Sequence, residues 1–142
     1  MLVVVDANIL ISLLIAKGSK HTLFFSDKIT PIAPEYALFE IREHWPEIIS
    51  KTRLTERDLR SEFFAVRLQV KIAPLSEIKE FLKDARKITP DPDDIEYFAL
   101  ALKHACPIWS HDKQLKKQNT LEVLNTIELL QKLGLITTPK EP

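Results

Sequence analysis

The sequence predicts an α/β domain, a three-layer α/β/α sandwich around a central, mostly parallel sheet of four to five strands. Three observations carry that prediction. The chain opens on Leu2-Val3-Val4-Val5, a short unbroken apolar run of the kind that fills a strand covered on both faces. Short apolar runs then alternate with helical patterns along the chain, the mark of a layered sheet with helical crossovers. Finally, 142 residues with 45% apolar and 28% charged types suit one self-sufficient core, while Gly 2 and Pro 9 exclude collagen-like or linker architecture.

Each element follows in order. Asp6-Ala7-Asn8 leaves the first strand, and Ile9 to Lys17 reads as a helix. His21 to Phe25 reads as a short helix and Ile29 to Ala33 as the second strand. Pro34 opens a helix carrying Tyr36, Glu40 and Trp45, which Pro46 kinks or restarts. Thr55 starts a helix running to about Val70, and Val70 to Ala73 reads as an edge strand. Ser76 to Ile88 is amphipathic through Ile78, Phe81, Leu82 and Ala85. Asp91, Pro92, Asp93 and Asp94 lead into an apolar helix from Ile95 to Ala105. Pro107 to Ser110 is a brief strand, Lys113 to Lys117 a short helix, Leu121 to Leu124 a last strand, and Thr126 to Leu133 a last helix stopped by Gly134. Residues 1–136 thus form a single domain and 137–142 a loose tail.

Several function classes fall away. One cysteine, Cys106, forms neither an intramolecular disulfide nor a multi-thiolate metal site, so a reducing compartment is expected. No run reaches the roughly 18 apolar residues of a membrane span. Asp6 interrupts the apolar start and no basic region precedes it, which disfavours a signal peptide and points to a cytoplasmic protein. The four histidines show no zinc spacing, and two glycines exclude phosphate-binding glycine loops. Net charge is zero, yet residues 51–87 carry +4 and residues 88–112 carry −4. One stretch suits anions and the next suits cations.

The candidate chemistry is acidic. Ligands of open parallel sheets bind at the carboxyl ends of the strands. Asp6 follows the first strand directly, and Asp112 follows a later one. If those strands are neighbours, the two carboxylates meet, and Glu40 and Asp94 complete an acidic pocket. Clustered carboxylates repel unless protonated or sharing a cation, and Mg²⁺ or Mn²⁺ suits an all-oxygen site. Each acid also has a plain structural reading. Asp6, Asp91 and Asp112 stand where helix caps stand, Asp94 lies in a first turn, and Glu40 shares its segment with Glu43 and Glu47 on what reads equally as a solvated face. Arg53, Arg57, Arg60 and Arg67 read either as a phosphate-contacting stripe or as a solvated face. Phe63-Phe64 and Leu13-Leu14 read as core or as a dimer surface.

The joint order narrows these alternatives. Val5-Asp6-Ala7-Asn8, a mid-chain Glu40, Asp91-Pro92-Asp93-Asp94 before Ala99-Leu100-Ala101-Leu102, then Trp109-Ser110-His111-Asp112-Lys113 resembles the PIN domain family over nearly the whole chain. That family comprises metal-dependent ribonucleases, among them the VapC-type toxins. The resemblance implies that Asp6, Glu40, Asp94 and Asp112 are the catalytic, metal-holding acids, with Glu35 and Glu43 as rivals to Glu40. It implies supporting roles for Asn8, Ser110 and Asp91. One or two Mg²⁺ or Mn²⁺ ions would activate a water for attack on an RNA phosphodiester, leaving a 5′-phosphate and a 3′-hydroxyl. Lys113, Arg53, Arg57 and Arg60 would hold the RNA. A toxin would pair with an antitoxin protein, and a homodimer is expected. Two other readings remain. One is a PIN-fold scaffold that binds RNA or protein without cleaving. The other is a haloacid dehalogenase-type phosphatase, which needs an acid where Asn8 stands.

Overall fold

A computed structural model describes residues 1–137; the predicted tail beyond Thr137 lies outside the described residues. Five strands form one sheet: β1 (Leu2–Val5), β2 (Thr30–Pro34), β3 (Lys71–Ala73), β4 (Ile108–Trp109) and β5 (Val123–Leu124). Their order is β3-β2-β1-β4-β5, and every pairing is parallel. Val3, Val4 and Val5 are fully buried, as a central strand covered on both faces requires.

Between β1 and β2 lie α1 (Ala7–Ile15) and α2 (Ser19–Phe24). Between β2 and β3 lie α3 (Glu35–Glu43), α4 (Trp45–Lys51) and α5 (Glu56–Gln69). The chain steps outward through β1, β2 and β3, then crosses back through α6 (Leu75–Ile78), α7 (Leu82–Ile88) and α8 (Ile95–His104) to reach β4. Right-handed crossovers therefore put α1 to α5 on one face and α6 to α8 on the other. The contacts agree: α1 packs on α3, α4 and α5, while α8 packs on β1, β2, β4 and α7. After β5, α9 (Thr126–Lys132) is closed at its start by a capping box of Asn125 and Glu128.

One expectation shifts and two open readings are decided. The helix read from Ser76 to Ile88 is broken into α6, a 3-10 turn at Lys79–Phe81, and α7. Of the two readings at Pro46, a kink or a restart, the restart holds, with His44 ending α3 and α4 starting at Trp45 and Pro46. Leu13 and Leu14 are core rather than surface, whereas Phe64 is 64% exposed.

Candidate active site

The order of strands decides where the site falls. β1 and β4 are neighbours in the sheet but far apart in the chain, because the chain runs outward on one side of β1 before returning on the other. That reversal opens a crevice beyond the carboxyl ends of β1 and β4. The register pairs Val5 with Trp109, so the next residues, Asp6 and Ser110, stand side by side at the crevice floor. Asp6 N donates to Trp109 O at 3.1 Å, and Ser110 N donates to Leu124 O at 3.0 Å, tying both residues into the sheet.

Ser110 is buried and joins two acids. Its Oγ donates to Asp6 Oδ2 at 2.6 Å and accepts from Asp112 N at 3.0 Å. Asp6 is itself buried (6% exposed), and burial holds its carboxyl above the ordinary range, against the lowering bonds from Ser110 and the Asn8 amide. Glu40 reaches the same site from α3. Tyr97, buried on α8, donates its hydroxyl to Glu40 Oε1 at 2.7 Å, and partial burial raises the Glu40 carboxyl. Asp94 stands at the start of α8 but caps nothing with its side chain. Burial first, then Asp6, Asp91, Glu40 and Asp112, push its carboxyl up to about 7. Sequence-distant acids thus share one electrostatic neighbourhood.

The rival acids are elsewhere. Glu35 Oε1 accepts from Leu75 N at 2.8 Å and so ties α3 to α6, while Glu43 is exposed. Capping roles coexist with the site: Asp91 accepts from Asp93 N, and Asp112 accepts from Gln114 N at the 3-10 turn Lys113–Lys117. Among the described residues, Asp112 Oδ2, Glu40 Oε2 and both Asp94 oxygens carry no hydrogen bond. These three acids therefore keep an unbonded oxygen, whereas both oxygens of Asp6 accept a hydrogen bond.

These residues fit a hard divalent cation in chemistry. All the donors are carboxylate oxygens, and the carboxyls of Asp6, Glu40 and Asp94 are raised first by burial and then by one another's charge, both of which a bound cation offsets. Among the described residues no three His, Cys, Asp or Glu side chains form a finished ligand cage. Magnesium does not demand one, since it keeps much of its water shell and leans on few carboxylates.

The remaining candidates spread out. Asn8 is exposed, and its contribution to Asp6 is a backbone N–H at 3.3 Å. Lys113 is exposed beside Asp112. Arg53 and Arg57 are exposed before and on α5. Arg60 is held by Glu56 at 3.0 Å and lies 5.8 Å over the Trp45 ring. With Arg42, Arg67, Phe63, Phe64 and Leu68 it lines a groove of about 680 Å³ between α3, α4 and α5. Reading the sequence missed Tyr97 and His111. Tyr97 follows Asp94 by three residues, one helical turn along α8, which was a usable signal. His111 lies between Ser110 and Asp112 and binds Thr126 Oγ1 through Nε2 at 2.6 Å. Burial, then Lys20, holds its ring below its ordinary value, with Asp6 opposing.

A family model described as PIN domain matches residues 4–133. No curated protein matches this chain at a significant level. Among solved structures, the chain is similar to one in the crystal structure of VapBC2 from Rickettsia felis bound to a DNA fragment from their promoter. That likeness has a TM-score of 0.67 at 13% identity, covering 88% of this chain and 98% of the other. At that identity the likeness speaks to the fold. Among the described residues no helix is long and apolar enough to cross a membrane.

Proposed function

This chain belongs to the PIN domain family, and from that premise we propose that it is a divalent-metal-dependent endoribonuclease, the toxin of a toxin–antitoxin pair. The observation that carries the reading is the convergence of acids beside the strand ends: Ser110 joins Asp6 to the Asp112 amide and Tyr97 holds Glu40. Asp94 stands among them, its carboxyl lifted to about 7 by burial first and then by repulsion from Asp6, Asp91, Glu40 and Asp112. Such repulsion stores a demand for a cation beside the strand ends. Asp6, Glu40, Asp94 and Asp112 would hold Mg²⁺ or Mn²⁺. When bound, the ion would supply a water activated at neutral pH and offset charge on the phosphodiester.

The protein's own part is positioning. Ser110 Oγ and the Asn8 amide each hold one Asp6 oxygen, and Tyr97 holds one Glu40 oxygen while the other stays unbonded, so both carboxyls are fixed in place. The sheet holds Asp6 and Ser110 rigid through backbone bonds. Asp91 keeps the turn before Asp94 closed. Lys113, with Arg53 and Arg57 further out, would attract the RNA backbone, so binding falls as salt rises. Arg60 fits that role less well, because Glu56 and Trp45 already engage it.

A partner protein belongs to the same reading. Phe64 and Leu68 are 64% and 73% exposed at the rim of the groove that Arg42, Arg60 and Arg67 line. That combination suits an apolar segment carrying acidic residues, which an antitoxin would supply. A homodimer and a cytoplasmic location complete the proposal; sedimentation of the purified chain checks the former.

One observation favours a second reading, a PIN-fold binding module that does not cleave: no ready ligand cage exists among the described residues. Incubating a mixed RNA pool with Mg²⁺ or Mn²⁺ separates the two. Cleavage by the unaltered chain, lost in Asp6→Asn and Asp94→Asn, supports the nuclease. Binding without cleavage supports the module, and cleavage that survives both substitutions removes the proposed site.

A further inference from the structure

The helix that delivers Glu40 also carries an aromatic pair that the reading so far leaves without a task. Tyr36 lies one helical turn before Glu40 on α3, and Phe39 immediately precedes it. The two rings stack, with centroids 5.7 Å apart and planes 20° apart. Tyr36 packs against the core, but Phe39 is 51% exposed. The phenol of Tyr36 is held above its ordinary value by partial burial and then by Glu40, Asp93, Glu96 and Asp94, acids from both α3 and the start of α8. Tyr36 and Glu40, four residues apart, share one face of α3, so the stack stands beside the acid that this helix delivers to the pocket.

A pair of aromatics at this helical spacing adds a few tenths of a kcal/mol to the helix itself. That gain needs no half-bare ring beside a charged crevice, and a leucine would cover Tyr36 as well. A flat ring on an acidic rim offers what the carboxylates cannot, an uncharged attraction for a nucleic acid whose phosphates they repel. Bases stack on aromatic faces with little regard to sequence.

We propose that Tyr36 and Phe39 form a stacking ledge for an unpaired base next to the scissile phosphate, with Phe39 as the contacting ring and Tyr36 as its support. The proposal rests on the nuclease reading and deepens it.

The test is steady-state cleavage of a short single-stranded RNA by the full chain in Mg²⁺. It uses Phe39→Ala, Phe39→Leu and Phe39→Trp, each repeated on the same RNA with an abasic nucleotide flanking the cleaved bond. Phe39→Ala and Phe39→Leu should raise KM roughly tenfold, the lower part of the range for one lost base stack, while Phe39→Trp keeps the parent KM. On the abasic RNA the unaltered chain should already show the raised KM, with Phe39→Ala adding less than about twofold, because the two changes remove one interaction. Phe39→Leu matching the parent on intact RNA overturns the ledge, since any apolar cover would then serve. An equal penalty on intact and abasic RNA also overturns it. Absence of cleavage by the unaltered chain sinks the nuclease reading and the ledge with it, so the two failures are told apart by the parent protein alone.

Discussion

Ser110 shows how little separates a structural residue from a functional one. Its hydroxyl donates to Asp6 and accepts from the Asp112 amide, so Ser110→Ala leaves a buried carboxylate short of a donor and loosens the following turn. We expect a loss of about 1–3 kcal/mol in a denaturant melt, together with weaker Mg²⁺ binding by calorimetry. Tyr97→Phe is the gentler probe. The ring keeps its packing while Glu40 loses its only side-chain donor among the described residues, so stability should fall by about 1 kcal/mol. RNA cleavage should fall about tenfold, in line with lost support for a metal ligand. Stability falling without any change in cleavage would show that Glu40 has no part in the chemistry. Asp6 stood out in the sequence because it directly follows a strand, and Ser110 through the family resemblance, two residues before Asp112. Tyr97 did not, because an aromatic in an apolar helix looks like core until its hydroxyl is seen to end on an acid.

At the scale of elements, what the sequence displayed well was every piece with a sharp beginning. Thr55 caps α5, Pro34 stands before α3 and α9 starts at Thr126, all where the residue pattern placed them, while the capping box of Asn125 and Glu128 emerged only with the structure. The strands appeared as apolar runs, and their parallel pairing followed from the helices between them. The stretch from Ser76 to Ile88 misled because its apolar spacing fits one helix. Position 78 sits at φ −111°, off helical geometry, and the run breaks into two short helices that wrap beside α8. Periodicity reports which face is buried, not whether the backbone is continuous. The opposite end of α8 holds a local cost that only coordinates reveal. Ala105 closes the helix at φ 49°, the left-handed region where a Cβ is unwelcome. Ala105→Gly should therefore raise stability by about 0.5–1 kcal/mol in urea melts, with no effect on RNA cleavage. A decrease would mean that the alanine methyl earns its place by packing.

For the whole molecule, the acid cluster should leave its mark on how stability varies with pH. Asp94 titrates near 7 in the folded chain against an ordinary 3.8, and Asp6, Glu40 and Glu96 are raised as well. Between about pH 4 and 7 the folded state therefore holds protons that the unfolded chain has released, so unfolding becomes easier as pH rises through that window and levels off above it. Three other shifts run the opposite way. His111 is held below its ordinary value, which favours the folded state as pH rises towards 6.5, and Glu47 and Glu128, lowered by their lysines, act only below about 4.5. The first is a single partly exposed ring and the others lie outside the window, so the acids set the net slope. In metal-free protein the melting temperature should decline from pH 5 to pH 8. Asp94→Asn should flatten the decline and stabilise the protein at pH 8 by about 1–2 kcal/mol, well below full conversion of the shift because half of that carboxyl still meets water. Protons and a divalent cation compete for the same oxygens. Excess Mg²⁺ should therefore raise the melting temperature more at pH 8 than at pH 5, and Asp94→Asn should abolish most of that gain. A metal-free melting temperature that climbs from pH 5 to pH 8 would mean the carboxylates are not crowded together when the chain is folded, and the case for a cation at the strand ends would go with them.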